Sequence, residues 1–415
     1  MPTSALLQLV ARGRQDTYLT GQPQTSFFHY VHQRYTPFAM ESIPIDFEGN
    51  IDFGNQIRAI IPRYADLLST LFIEVDLPGI PPYDGNPRFW VNSIGNALIR
   101  DISVEIGERE FDKQTGEWMF IWNKLSLDGS IDKGYDEMVG QWPSEPPPAS
   151  LAGQPITVTI PLLFWFCKHI GAALPLIALQ SHPVRIIVNI RPFKELWWGA
   201  DISANICLDI PPVEISRFQM FGDYIYLDTD ERRRVAAGDH EYLIEQVQVA
   251  TPQSVTIGVN KASVPLYFNH CCKEFFWTIQ QNRMKGLHEW FNYSDAPQSA
   301  GPQPTQDQLA NALLRLDGND RFYVRNAPYF RLTQPYMYHS EIPIPPNYIY
   351  IYSFSIDPED QQPSGSLNCS KIEDIIFHLN FNLANLGYER TVQFYATNYN
   401  VLRIVGGMGG LVFIS

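Results

Sequence analysis

With 415 residues, 45% of them hydrophobic, the chain is too long for one ordinary domain and has material for two cores of roughly 200 residues each. A formal net charge of −14 argues against a nucleic-acid-binding surface, because neutralising phosphates needs clustered Lys and Arg. Only 18% of residues are charged and 13% are aromatic, a balance that suits either a β-rich fold with large side chains or broad surfaces buried against partners.

Met1 to Asp16 shows no signal-peptide pattern, and Ala5 to Val10 suits only a helix too short to stand alone. From there the dominant signal is strand. Ile102 to Ile106 and Ile156 to Ile160 alternate apolar and polar residues, the period of half-buried antiparallel strands. Val184 to Ile190 and Tyr348 to Phe354 are denser in β-branched and aromatic residues, as sandwich-core strands are. Pro78 to Pro82, Pro146 to Pro148 and Pro363 to Ser366 punctuate these runs, so the spacing points to β-sandwiches or barrels. Asp128 to Gln154, Asn282 to Gln306 and Asp357 to Ser370 read as long structureless connections. Asp228-Thr229-Asp230-Glu231 has the spacing of a capping box, which predicts a helix from Asp228 to about Asp239. In that helix Arg232-Arg233-Arg234 is a salt-bridged turn behind Asp228, Asp230 and Glu231. No window approaches 18 uninterrupted apolar residues, so no membrane span is expected.

The two halves resemble each other in order. Asn96 to Arg100 matches Asn311 to Arg315, each followed by aromatics: Trp118, Phe120 and Trp122, then Tyr329, Phe330 and Tyr336. Ile160 to Phe166 corresponds to Ile349 to Ser355, and Val184 to Ile190 to Ile375 to Phe381, both about 190 residues apart. A repeat of that length is a duplicated domain rather than a solenoid.

Chemistry-bearing motifs are weak. Gly406-Gly407-Met408-Gly409-Gly410 resembles a phosphate loop but only Leu411 to Ser415 follow, so a tight turn needing positive φ is the expectation. His29 and His32 would face opposite sides of a strand. His270-Cys271-Cys272 lacks a second ligand cluster, and buried reduced thiols are the expectation there. Five cysteines (Cys167, Cys207, Cys271, Cys272 and Cys369) form no regular disulfide framework, which favours synthesis in a reducing cytoplasm. Trp197-Trp198 could stack a sugar, and Glu105, Glu108 and Glu110 could supply glycosidase carboxylates. Asn292-Tyr293-Ser294 and Asn368-Cys369-Ser370 have the N-glycosylation pattern, which a cytoplasmic route leaves unused. No catalytic, cofactor-binding or metal site is expected.

Three segments carry a family resemblance. Phe27 to Ser42, Asp223 to Arg234 with His240 to Gln246, and Asn398 to Leu411 are similar to the opening, the inter-domain segment and the C-terminal strand and glycine turn of nucleocytoplasmic large DNA virus major capsid proteins. The resemblance implies an all-β double jelly roll, each roll eight antiparallel strands in two sheets. The rolls are then expected at residues 25–227 and 241–415 with a linker helix at 228–240, and the short apolar run before the first strand makes residues 1–24 a candidate N-terminal arm contacting neighbours or minor capsid proteins beneath the shell. It further implies a homotrimer with a pseudo-hexagonal outline, neighbouring capsomers, and minor capsid and penton proteins as partners. The shell would be icosahedral, over an internal membrane, assembled in the host cytoplasm without touching nucleic acid. The alternative from another class is a β-sandwich carbohydrate-binding protein or glycoside hydrolase; within the class, it is the double jelly-roll shell protein of a virophage or a related mobile element.

Overall fold

The computed structural model describes residues 10–11, 13–15, 20, 22–24, 34–83, 85–142, 147–199, 211–297, 305–383 and 386–414. Residues 1–37 and 38–415 are separate compact units. Of the expectations for the first unit, His29, His32 and nearly all of the Ala5 to Val10 helix lie outside the described residues, as does Cys207 in the second unit.

The second unit begins with β1 (Phe38–Ile45), β2 (Gln56–Ile60), β3 (Leu67–Leu77), β4 (Ile99–Ile106), β5 (Arg109–Thr115), β6 (Ile156–Pro161), β7 (Val184–Ile190) and β8 (Arg217–Leu227). They pair antiparallel as two four-stranded sheets, β1-β8-β3-β6 and β2-β7-β4-β5. Next come β9 (His240–Val249), β10 (Lys261–Leu266), β11 (Cys271–Gln281), β12 (Leu309–Leu316), β13 (Asn319–Asp320), β14 (Ile349–Ser353), β15 (Ile375–Phe381) and β16 (Arg390–Val405). Their sheet orders are β9-β16-β11-β14 and β10-β15-β12-β13. Adding eight to each label of the first set gives the second. Each set is two Greek keys folded into facing sheets, which is a jelly roll. A terminal strand, β17 (Met408–Leu411), doubles back on β16.

Period-2 patterning accounts for the cores. β7 and β15 each bury every second residue, and the inward Val184, Ile186, Val188 and Ile190 are at most 3% exposed. The third repeat pair coincides with these two strands end to end. The other two pairs fall on equivalent regions but drift in register. Asn96–Leu98 closes a short helix before β4, whereas Asn311–Leu313 already lies inside β12. Ile160 sits near the end of β6, and Ile349 opens β14.

Two of the expected structureless connections contain helices. After α1 (Gly116–Ser126) comes α2 (Gly129–Met138), held by Lys124, which reaches Asp132 at 2.8 Å and Asp136 at 2.6 Å. Asn282–Gly286 forms a helical turn in the second connection, while the third is mostly bends, with Leu367–Asn368 paired and a 3-10 turn starting at Cys369. The helix between the rolls, α3 (Thr229–Ala237), falls where expected. The Asp228 side chain makes no cap bond; its carbonyl accepts from Arg232 N–H at 2.8 Å instead. Asp230 and Glu231 lie in the first turn, where they favour the helix dipole, and Arg232 pairs with Asp66 of the first roll at 2.9 Å. No helix among the described residues is long and apolar enough to cross a membrane.

Candidate functional site: the seam between the rolls

The residues that join the two rolls come chiefly from α1. Thr115 caps this helix, its Oγ1 accepting from Trp118 N–H at 3.1 Å, and Glu117 occupies the first turn. Gly116 opens it where no side chain fits: a Cβ there would lie 2.0 Å from the Asn96 carbonyl oxygen and 2.4 Å from that of Ile99. The following Trp118, Met119, Phe120, Ile121 and Trp122 are apolar on every side, the mark of a helix buried all round. On one side they meet their own roll. On the other, Trp118 meets Phe276 of β11 at 4.9 Å and Tyr395 of β16 at 5.6 Å between ring centroids. Phe120 stacks on Phe291 at 4.2 Å, and Trp122 meets Phe276 at 6.3 Å and the His339 ring at 6.2 Å.

A charged layer flanks this aromatic one. The Lys168 ammonium lies 3.9 Å over the Trp122 ring and 3.1 Å from Glu245. Lys273, fully buried, pairs with the same Glu245 and donates to the Pro358 carbonyl at 2.6 Å. Burial pushes the Lys273 ammonium down from its ordinary value, against the pull of Glu245. Burial also raises Glu245, but the two lysines outweigh it and hold the carboxyl low. His339 Nε2 lies 3.0 Å from Glu274 and Nδ1 2.9 Å from Glu359. Buried charges persist only when paired in this way.

Backbone contacts complete the seam. Asp112 Oδ1 accepts from Val247 N–H at 2.9 Å, and the Gln246 amide donates to the Phe111 carbonyl. Burial pushes the Asp112 carboxyl up to about 6, with the Val247 and Gln114 hydrogen bonds pulling against it. Ser181 N–H donates to the Gly407 carbonyl at 2.9 Å, so the glycine turn docks on the first roll. Gly406 and Gly407 have φ of 58° and 82°, as the expected tight turn requires.

The remaining motif residues scatter. Trp197 and Trp198 are 2% and 4% exposed, paired with Trp90 and Phe89, so they offer no sugar platform. Glu105 and Glu110 stand opposite each other in the β4–β5 hairpin, with Glu108 in the turn at φ 67°. Glu110 is pushed up by partial burial, against the pull of Lys113, and lines a 240 Å³ crevice with Asp112, Lys113 and Asn398. Cys272 and Cys369 are buried thiols in mutual hydrogen-bond contact, and that contact, then burial, raises Cys272. Asn292 is 5% exposed, its Oδ1 accepting from Ser294 N–H at 2.9 Å, so it closes a buried turn and is no glycan acceptor in the folded chain; Asn368 is exposed. No group of three or more His, Cys, Asp or Glu able to hold a metal ion occurs among the described residues. The seam itself escaped motif reasoning, which took Trp118, Phe120 and Trp122 only as repeat markers. The signal was the uninterrupted apolar run after Glu117.

Two tandem jelly rolls joined by a helix and locked by an aromatic seam define the double jelly-roll class. The sequence pattern described as large eukaryotic DNA virus major capsid protein matches residues 231–410, and that of the major capsid protein N-terminus matches residues 26–228. The major capsid protein of Phaeocystis pouchetii virus is 34% identical, over 98% of this chain and 99% of that one. That of Pyramimonas orientalis virus is 35% identical, over 98% of each. Among solved structures, PBCV-1 VP54, as fitted into a reconstruction of the virophage Sputnik, is similar with a TM-score of 0.81 at 28% identity, over 94% of this chain and 100% of that one. The chain belongs to the large eukaryotic DNA virus major capsid proteins. It is a structural component of the virion.

Proposed function

We propose that three copies of the chain associate into a pseudo-hexagonal capsomer of an icosahedral shell. The observation that carries this is the duplication itself. Two rolls of identical strand order sit side by side in one chain, so three chains supply six similar units. The capsomer meets neighbouring capsomers and minor capsid and penton proteins, and is assembled in the host cytoplasm close to an internal membrane. The net charge of −14 keeps it off nucleic acid, and its function is assembly rather than catalysis. Residues 25–227 and 241–415 are the two rolls, residues 228–240 the linker, and residues 1–24 an arm contacting neighbours or minor capsid proteins beneath the shell. An obligate contact between copies buries more than roughly 2,000 Å².

The test is the native mass of the purified chain by light scattering. A stable species near three times 47.5 kDa supports the capsomer, and a monomer at all concentrations refutes it. For the arm, a chain lacking its first 20 residues that still builds normal shells would sink the assignment.

A further inference from the structure

In the second roll the segment topologically equivalent to α1 is Tyr329–Tyr338. It comes after the pairing at Asn319–Asp320 and Arg325–Asn326 and before β14, as α1 comes after β5 and before β6. Its inner side is anchored: Phe330 is fully buried 5.1 Å from Trp277, and Gln334 Oε1 accepts from Ser353 N–H at 3.0 Å. Its outer side carries Leu332, Tyr336 and Met337 at 38%, 77% and 55% exposure. Leu332 and Tyr336 are one helical step apart on the same face. Beside them, Tyr323 and Val324 are 90% and 55% exposed. In the first roll the aromatic side chains at this place are sunk into the second roll.

The receiving face is duplicated too. Phe276 is the sixth residue of β11, paired across to Tyr395; Phe72 is the sixth residue of β3, paired across to Phe221. The sides correspond, because Leu71 and Ile73 point into their core, and Phe275 and Trp277 point into theirs against Phe377. Phe276 and Tyr395 are 0% and 3% exposed beneath α1. The Phe72 and Phe221 rings stack at 5.4 Å but stay half-buried. At their border Arg217 reaches Glu74 at 3.6 Å, a polar rim beside an apolar centre.

We propose that the outer face of Tyr329–Tyr338 docks onto the Phe72–Phe221 face of a second copy of this chain. The contact repeats between chains the step that α1 makes within one. The occupant is a second copy because, among the described residues, a single chain carries both a Tyr329–Tyr338 face that no roll covers and a Phe72–Phe221 face that stays half-buried with no counterpart of α1 upon it. Such a contact is head-to-tail, each copy giving one surface and receiving the other, and with a rotation of one third of a turn it closes into the ring of three that the capsomer requires. The inference rests on the capsomer proposal and names its subunit contact.

The test compares full-length wild type with Tyr336→Asp, Phe72→Asp and the control Tyr267→Asp, which changes an aromatic 83% exposed just after β10. Native mass and thermal melting are measured on each. Wild type and Tyr267→Asp are expected at three chain masses. Tyr336→Asp and Phe72→Asp are expected to drop threefold to a single chain, with Tyr336→Asp retaining the melting temperature of an isolated folded chain. Trimers of both disrupting variants, or disruption by only one, would overturn the contact while leaving the capsomer standing. A monomeric wild type would overturn the capsomer and this contact with it.

Discussion

His339 sits where an imidazole is ordinarily neutral. Its side chain is 0% exposed, and burial alone pushes its pKa down. The charge of Glu274, then the hydrogen bonds that the ring donates to Glu274 and Glu359, outweigh that and raise it to about 9. An unfolded histidine titrates near about 6.5. The folded value is the higher one, so this stabilisation is complete below about pH 6.5 and is lost as pH rises through about 9. The gap between the two corresponds to roughly 3 kcal/mol. Lys273, lowered by burial in the same layer, changes stability with the opposite sign as pH rises, so only comparison with a variant isolates the histidine. His339→Gln is expected to be less stable at pH 6 and to show a flatter fall in melting temperature up to about pH 9. Parallel curves for the two proteins would show that the imidazole carries no buried charge.

α1 is the element on which the two rolls depend. Trp118 is fully buried between the rolls, touching Phe276 and Tyr395. Trp118→Ala removes that wedge, and truncating a core Trp costs about 3–5 kcal/mol. The expected calorimetric trace changes from one cooperative transition to two, because the rolls keep separate cores once the wedge is gone. A single transition at an unchanged temperature would mean that the charged layer holds the seam by itself. The fold was legible at this scale wherever the pattern had period 2: Val184 to Ile190 was bounded at the very residues that pair. α2 was missed because Gly129 to Met138 is mostly polar and is fixed by Lys124 from a neighbouring element, a tertiary cause that local pattern does not carry. The seam was missed for a related reason. Its partners Trp122, Lys168, Glu245, Lys273 and His339 lie far apart in sequence, and only the closure of both rolls brings them together.

For the whole molecule the governing quantity is charge. Each chain carries −14, so three chains brought together repel one another. The proposed contact opposes that repulsion with apolar area, Tyr336 and Met337 against Phe72 and Phe221, with the Arg217–Glu74 pair near its border. Added salt screens like-charge repulsion, since the Debye length falls to about 10 Å at 0.1 M, and it does not weaken apolar burial. Trimer association is therefore expected to strengthen between about 0.02 M and about 0.3 M salt, read as a falling dissociation constant in sedimentation equilibrium. A protein held by phosphate or by cross-subunit ion pairs responds the other way. A dissociation constant that rises with salt would place ion pairs, not aromatic docking, at the centre of the subunit contact.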